Sequence, residues 1–178
     1  MNTYIEGYIL GTKYCRMNQK HGGVTIFVHE TLTYSNIDLA KFCNDHDFEV
    51  CAVKLQISSS KIIVLCVYRP PSGNVEYFLN SLEQILNQLY TNSTNIIICG
   101  DININYLANT NNKRQLDALL ASYGLYSIVD FPTRSKNCSS AAIDNIFIDK
   151  FKNYNFTINP HCITGYRTMT HRFLYWIN

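Results

Sequence analysis

The chain has 178 residues, of which 47% are hydrophobic and 16% charged, and a net charge of +2. That length suits one domain with a sizeable core, and the composition excludes a disordered chain. A pI near 8.1 excludes nucleic-acid binding driven by overall charge, so any such binding has to come from a local patch.

The seven cysteines, at positions 15, 43, 51, 66, 99, 138 and 162, are odd in number and contain no C-x-x-C pair. Cys51, Cys66 and Cys99 sit inside apolar runs, where a thiol packs as a small hydrophobe. A zinc or disulfide framework is therefore disfavoured and a reducing compartment favoured. No signal peptide and no membrane-length apolar span occurs, which predicts a soluble intracellular product, nuclear or cytoplasmic, with no membrane partner. The opening "MNTYIEGYILGTKYC" reads as mid-domain sequence that happens to begin with Met.

In chain order, "GGVTIFVHE" (22–30) alternates around Val24, Ile26 and Val28 after a Gly-Gly turn and predicts a strand. "FEVCAVKLQI" (48–57) and "KIIVLCVYRP" (61–70) predict a hairpin joined by serines, and Pro70 and Pro71 end its second strand. In "NVEYFLNSLEQILNQLY", Val75, Phe78, Leu79, Leu82, Ile85, Leu86 and Leu89 make the stripe of an amphipathic helix, with Asn74 as N-cap. "NIIICGD" (95–101) reads as a buried strand. "NNKRQLDALLASYG" (111–124) predicts a second helix with Gly124 as its C-cap. "LYSIVDF", "IDNIFIDK" and "NYNFTINP" read as short strands. Interspersed strands and helices predict an α/β domain with sheets packed together and helices outside.

Polar groups stand where the strands stop: Tyr68 and Arg69, Asp101 and Asn103, Thr133 in "DFPTR", and Asp144 in "SSAAIDNIF". Strand ends collect at one edge of a sheet, where sites on layered α/β folds are built. A phenol, a guanidinium, an amide, a hydroxyl and two carboxylates suit phosphodiester chemistry. Each also has a plainer explanation. Asp-x-Asn after a strand is commonly a turn, and Tyr-Arg-Pro-Pro is commonly an exposed strand end. If extended geometry continues past Asp101, its side chain and that of Asn103 point the same way.

Together, "YCRMNQKHGGVTIFVHE", "VYRPPS", "IIICGDININ", "DFPTR" and "SSAAIDNIFID", in this order, resemble the endonuclease/exonuclease/phosphatase superfamily. The resemblance is to the endonuclease domains of insect-type non-LTR retrotransposons, which accompany a reverse transcriptase. It implies a four-layer α-β-β-α sandwich and a Mg²⁺-dependent nuclease that cuts DNA with an activated water. By that match, Tyr68 contacts the phosphate in the transition state, Asp101 activates or positions the attacking water, and Asn103 orients it or holds the phosphate. Asp144 pairs with a catalytic histidine, while Thr133 and Arg69 are phosphate or DNA contacts.

The sequence departs from the family twice. The family's early metal-ligand Glu has no counterpart: Glu6 lacks the expected aromatic context, and Glu49 reads as a surface or strand-pair carboxylate. The metal ligands are therefore unassigned, and one sheet is expected to lack its first strands. The family's closing Leu-Ser-Asp-His is also replaced, by "YRTMTHRF" at 166–173. A DNA spelling of Leu-Ser-Asp-His-Asp-Ala-Gln-Ile translates as Tyr-Arg-Thr-Met-Thr-His-Arg once its first base is dropped. The expectation is a partial endonuclease domain over 1–165 and a frameshifted tail over 166–178. Thr168 and Met169 would stand where the family has Asp and His.

The expected function is thus a DNA-nicking endonuclease domain by descent with impaired Mg²⁺ binding, a pseudoenzyme. Two alternatives stand beside it: an active nuclease within a longer product, and a non-catalytic nucleic-acid-binding remnant. The remnant would use Lys13, Tyr14, Arg16, Lys20, Arg69, Arg134 and Lys136, whose plainer role is solvated charge. A superfamily phosphatase is disfavoured by "YRPPS" beside "GDININ". Oligomeric state is not legible.

Overall fold

The computed structural model describes residues 5–16, 22–57, 59–91, 93–136 and 139–149. Strands β1 (Tyr8–Tyr14) and β2 (Val24–His29) form an antiparallel two-stranded sheet. A larger sheet contains β3 (Thr33–Ile37), β4 (Glu49–Ile57), β5 (Ser60–Tyr68), β6 (Asn95–Asp101), β7 (Leu125–Ser127) and β10 (Asp144–Asp149). Its order is β3-β4-β5-β6-β10-β7. The short pair β8 (Arg134–Lys136) and β9 (Ser139–Ala141) stands apart.

Every neighbouring pair in the large sheet is antiparallel except β5–β6. A parallel pair needs a crossover, and α1 (Val75–Leu89) supplies it. Asn74 caps α1 by accepting the Tyr77 N–H at 3.0 Å, while its own N–H donates to Asp47 at 2.8 Å. Asn74→Ala removes the first bond and keeps the second. It is expected to cost about 1 kcal/mol, read as a lowered denaturation midpoint at unchanged slope.

Side chains alternate across each strand, so β4 presents Glu49, Cys51 and Val53 to one face and Val50 and Ala52 to the other. The β1–β2 hairpin covers the first face, with Gly11 packed on Val53 and the backbones of Tyr14 and Thr25 against Cys51 and Cys66. The opposite face is left for the helices. There α1 buries Phe78, Ser81, Leu82, Ile85 and Leu86, and Phe48 meets Phe78 edge-on at 5.2 Å. The second helix, α2 (Asn111–Ala121), buries Leu116 and Leu120. A helical layer, a central sheet and a second sheet therefore stack in that order, which gives three of the four layers of the expected α-β-β-α sandwich among the described residues.

The predicted hairpin, helices and buried strand appear within a few residues of their expected bounds. Gly124 adopts the expected left-handed φ of +71°, though α2 itself ends at Ala121 and turns through Ser122. Strands β1, β3, β8 and β9 were not foreseen. They are short or largely exposed, so they carry no strong apolar alternation. The predicted strand "NYNFTINP" and the expected boundary near Gly165 lie outside the described residues.

Candidate functional site

Three register pairs define the site. Glu49 lies opposite Tyr68, Tyr68 opposite Asp101, and Asp101 opposite Asp144. Register partners project to the same face of a sheet, so one phenol and three carboxylates form a single rung across β4, β5, β6 and β10. The rung is terminal: Glu49 and Asp144 begin their strands, while Tyr68 and Asp101 end theirs. Residues far apart in the chain thus meet at one sheet edge, on the face that carries the β1–β2 hairpin.

Asp101, Asp144 and Glu49 are buried, and Tyr68 is half-buried. Burial raises the Tyr68 phenol pKa, and the negative charges of Asp101 and Glu49 raise it further. Arg16 and Arg69 pull it back.

Beyond Asp101 the extended geometry stops. Asn103 takes a left-handed φ of +48°, and its N–H donates to the Asp101 carboxylate at 3.1 Å. The expected parity between the two side chains does not hold, because the turn intervenes. The Asn103 amide instead donates to the Arg69 carbonyl at 2.8 Å, which draws it toward β5.

Arg69 organises this turn. Its guanidinium donates to the carbonyls of Ile102 at 2.8 Å, Gly73 at 2.7 Å and Asn103 at 2.8 Å. With 3% exposure, Arg69 clamps the two loops flanking the rung. Desolvation lowers its pKa, while Asp101 and Tyr68 work against that shift.

Thr133 is also internal. Its hydroxyl oxygen accepts the N–H groups of Ile143 at 3.0 Å and Asp144 at 3.1 Å, which fixes the start of β10. Asn105 ties the same region to the loop after β6 by accepting the Ala142 N–H at 3.1 Å. The fold thus brings together Tyr68, Asp101, Asn103 and Asp144, with Arg69 and Thr133 behind them as braces.

Sequence reasoning missed one member. Glu49, read as a surface or strand-pair carboxylate, is indeed paired within a strand but is 0% exposed. Its carboxylate accepts from the Arg16 guanidinium and the Gly23 N–H. Burial raises the Glu49 pKa, and those two donors counter the rise. The signal was available in "FEVC": a Glu between Phe48 and Val50 at a strand start has apolar neighbours on both sides.

Among the suggested DNA contacts, Lys13 and Arg134 are exposed, whereas the Arg16 side chain is only 9% exposed. The Tyr14 hydroxyl donates to Asp45 at 2.6 Å. Lys20 and the side chain of Lys136 lie outside the described residues. No helix among the described residues is long and apolar enough to cross a membrane.

Residues 62–162 match the family described as Endonuclease-reverse transcriptase. No curated protein matches the chain significantly. Among solved structures, the chain is similar to the endonuclease domain of TRAS1, a telomere-specific non-LTR retrotransposon, at TM-score 0.63 and 16% identity, covering 82% of this chain and 68% of that one. It is also similar to an endonuclease/exonuclease/phosphatase family protein from Leptotrichia buccalis C-1013-b, at TM-score 0.56 and 17% identity over 83% and 61% of the two chains. Humanized D. rerio TDP2 superposes at TM-score 0.53 and 13% identity over 83% and 63%. The chain thus spans about two thirds or less of the length of these structures. The family match covers more than half of the chain and the fold agrees with it, so this chain belongs to the Endonuclease-reverse transcriptase family of the endonuclease/exonuclease/phosphatase superfamily.

Proposed function

We propose that these 178 residues are a DNA-directed endonuclease domain by descent, which keeps the groups that hold a phosphodiester but not efficient metal-dependent cleavage. The observation that carries this reading is the single rung of Tyr68, Asp101 and Asp144 with Asn103 at its mouth. Hydrolysis of a phosphodiester needs a water oxygen to bond to phosphorus while the bond to the leaving sugar oxygen breaks. In this reading Asp101 accepts the water's proton, Tyr68 and Asn103 donate to non-bridging oxygens, and the leaving sugar oxygen takes a proton from solvent. Asp144 is the carboxylate that would orient an imidazole.

The family implies Mg²⁺. Among the described residues no group of three His, Cys, Asp or Glu side chains is disposed to hold a metal ion. Glu49, the carboxylate at the end of the rung, is already taken up by Arg16 and Gly23. The described residues therefore do not fit a divalent-ion site, and no step is routed through one. Metal activation and proton transfer each contribute orders of magnitude to rate, so turnover falls steeply without them. DNA is proposed as the partner because the TRAS1 relative is a retrotransposon endonuclease domain.

The test is nicking of supercoiled plasmid by the purified chain in Mg²⁺, beside Asp101→Ala and an EDTA control, with duplex binding followed by fluorescence anisotropy. The expected result is salt-sensitive binding with no nicking above the Asp101→Ala background. Nicking that both controls abolish would refute the loss of cleavage. Absence of binding by the folded protein would sink the phosphodiester-holding half.

A further inference from the structure

Arg16, Glu49 and Tyr68 form a unit that the proposed chemistry does not use as such. Glu49 is the register partner of Tyr68 and is fully buried. Arg16 bonds to its carboxylate and places its guanidinium carbon 5.7 Å from the centre of the Tyr68 ring. That is within cation–π range. The turn that reaches Glu49 depends on two glycines with left-handed φ, Gly22 at +102° and Gly23 at +96°. A Cβ on Gly22 would collide with the Arg16 guanidinium, and the Gly23 N–H takes the second carboxylate oxygen. The polypeptide is thus shaped around one buried ion pair at the end of the functional rung.

Burying such a pair is expensive. Apolar residues of similar volume are commonly no less stabilising than a buried ion pair, so stability alone is a weak reason for it here. Its placement supplies a better one. The guanidinium lies against the Tyr68 ring, while Asp101 stands beside Tyr68 in register.

We infer that Arg16, held by Glu49, is a positioning residue for Tyr68, fixing the ring so that its hydroxyl faces the phosphodiester bound at the rung. The cation lying against the ring also opposes the rise in phenol pKa that burial, Asp101 and Glu49 impose, with Arg69 as the other cation acting the same way. The phenol is thereby kept a better hydrogen-bond donor to a phosphate oxygen. This inference rests on the phosphodiester-holding reading for its purpose, but the positioning itself is measurable without it.

The full chain is labelled with 3-fluorotyrosine, and the Tyr68 resonance among the 13 tyrosines is assigned by its absence in Tyr68→Phe. The informative variant is the double substitution Arg16→Met/Glu49→Gln. It removes both charges together, avoiding a lone buried carboxylate, and leaves an amide oxygen at position 49 to accept the Gly23 N–H. Arg16→Lys serves as a second variant that keeps the charge but loses the planar, forked guanidinium.

The expected result is a folded double variant whose ¹⁹F signal at Tyr68 moves toward the free-residue position, with Arg16→Lys in between. An unmoved signal in either folded variant would overturn the inference and leave Arg16–Glu49 as a loop anchor only. A duplex-binding cycle then reports on use of the ring. If Arg16 acts through Tyr68, the affinity lost in Tyr68→Phe and in the double variant is not additive when they are combined. Additive losses would also overturn the inference. If the wild type does not bind duplex at all, the functional reading fails, and the ¹⁹F signal alone decides the positioning.

Discussion

Gly100→Ala is expected to prevent stable folding. Gly100 has φ of +148°, and a Cβ there would overlap the carbonyl group of Val67 on the neighbouring strand and stand 3.0 Å from the Val67 nitrogen. Both partners are main chain in the middle of the sheet, since Gly100 pairs with Val67 on β5 and Asn145 on β10. No rotamer change relieves that overlap. The backbone strain alone costs of order 1–3 kcal/mol, and separating the strands removes ladder bonds on both sides. A domain with about 5–15 kcal/mol of total stability has little margin for this. Soluble yield and a denaturation curve beside wild type check it. A variant that melts cooperatively within a few degrees of wild type would show that the close approach of β5 and β6 can relax. Gly100 directly precedes Asp101, so this close approach of β5 and β6 lies one residue from the Tyr68–Asp101 pair.

Arg69→Met should be nearly as damaging, and for a reason unrelated to ligand binding. The sequence motif suggests a cation that contacts phosphate, but the folded chain commits the guanidinium to three backbone carbonyls in two loops. Hydrogen bonds to charged groups contribute about 1.5–3 kcal/mol each, and a buried acceptor left without a partner costs about 1–3 kcal/mol. Methionine fills similar volume but satisfies none of the three. The expected loss is on the order of 4 kcal/mol, with faster amide exchange at Ile102 and Asn103. Arg69→Lys should recover only part of it, because one ammonium cannot span the arc that the planar fork reaches. Chemical denaturation of the three proteins decides the matter. A loss under about 1 kcal/mol for Arg69→Met would show that water or another donor replaces the clamp. Lower DNA affinity at unchanged stability would instead restore Arg69 as a phosphate contact.

Residue order reveals more about Asp101 than about Arg69. The end of "NIIIC" locates Asp101 at a strand terminus because a run of isoleucines closed by Gly and Asp has few other realisations. The same logic located Tyr68 and Asp144, and the pairing of three strand ends then put all three on one rung. Arg69 and Thr133 were legible as polar groups near that edge, but not as braces. Whether a guanidinium points outward to phosphate or inward to carbonyls depends on which loops close over it. The orientation of Asn103 was illegible for a related reason: strand parity holds only for extended backbone, and the Asp101 carboxylate capped a turn instead.

Local pattern by itself determined the element types that carry strong periodicity: the α1 stripe with its Asn74 cap, the β4–β5 hairpin and the buried β6 strand. Together with the ordered motifs it also determined the family, because those signals reside in adjacent residues. Tertiary structure decided the rest. It placed Glu49 beside Tyr68 at the open end of a hairpin, and brought Arg16 to both from the segment that follows β1. It also aligned Cys51, Cys66 and Cys99 one inward step below the rung as packed thiols. Burial and partnership are properties of strand register and sheet stacking, which bring distant residues together and which no short window of sequence contains.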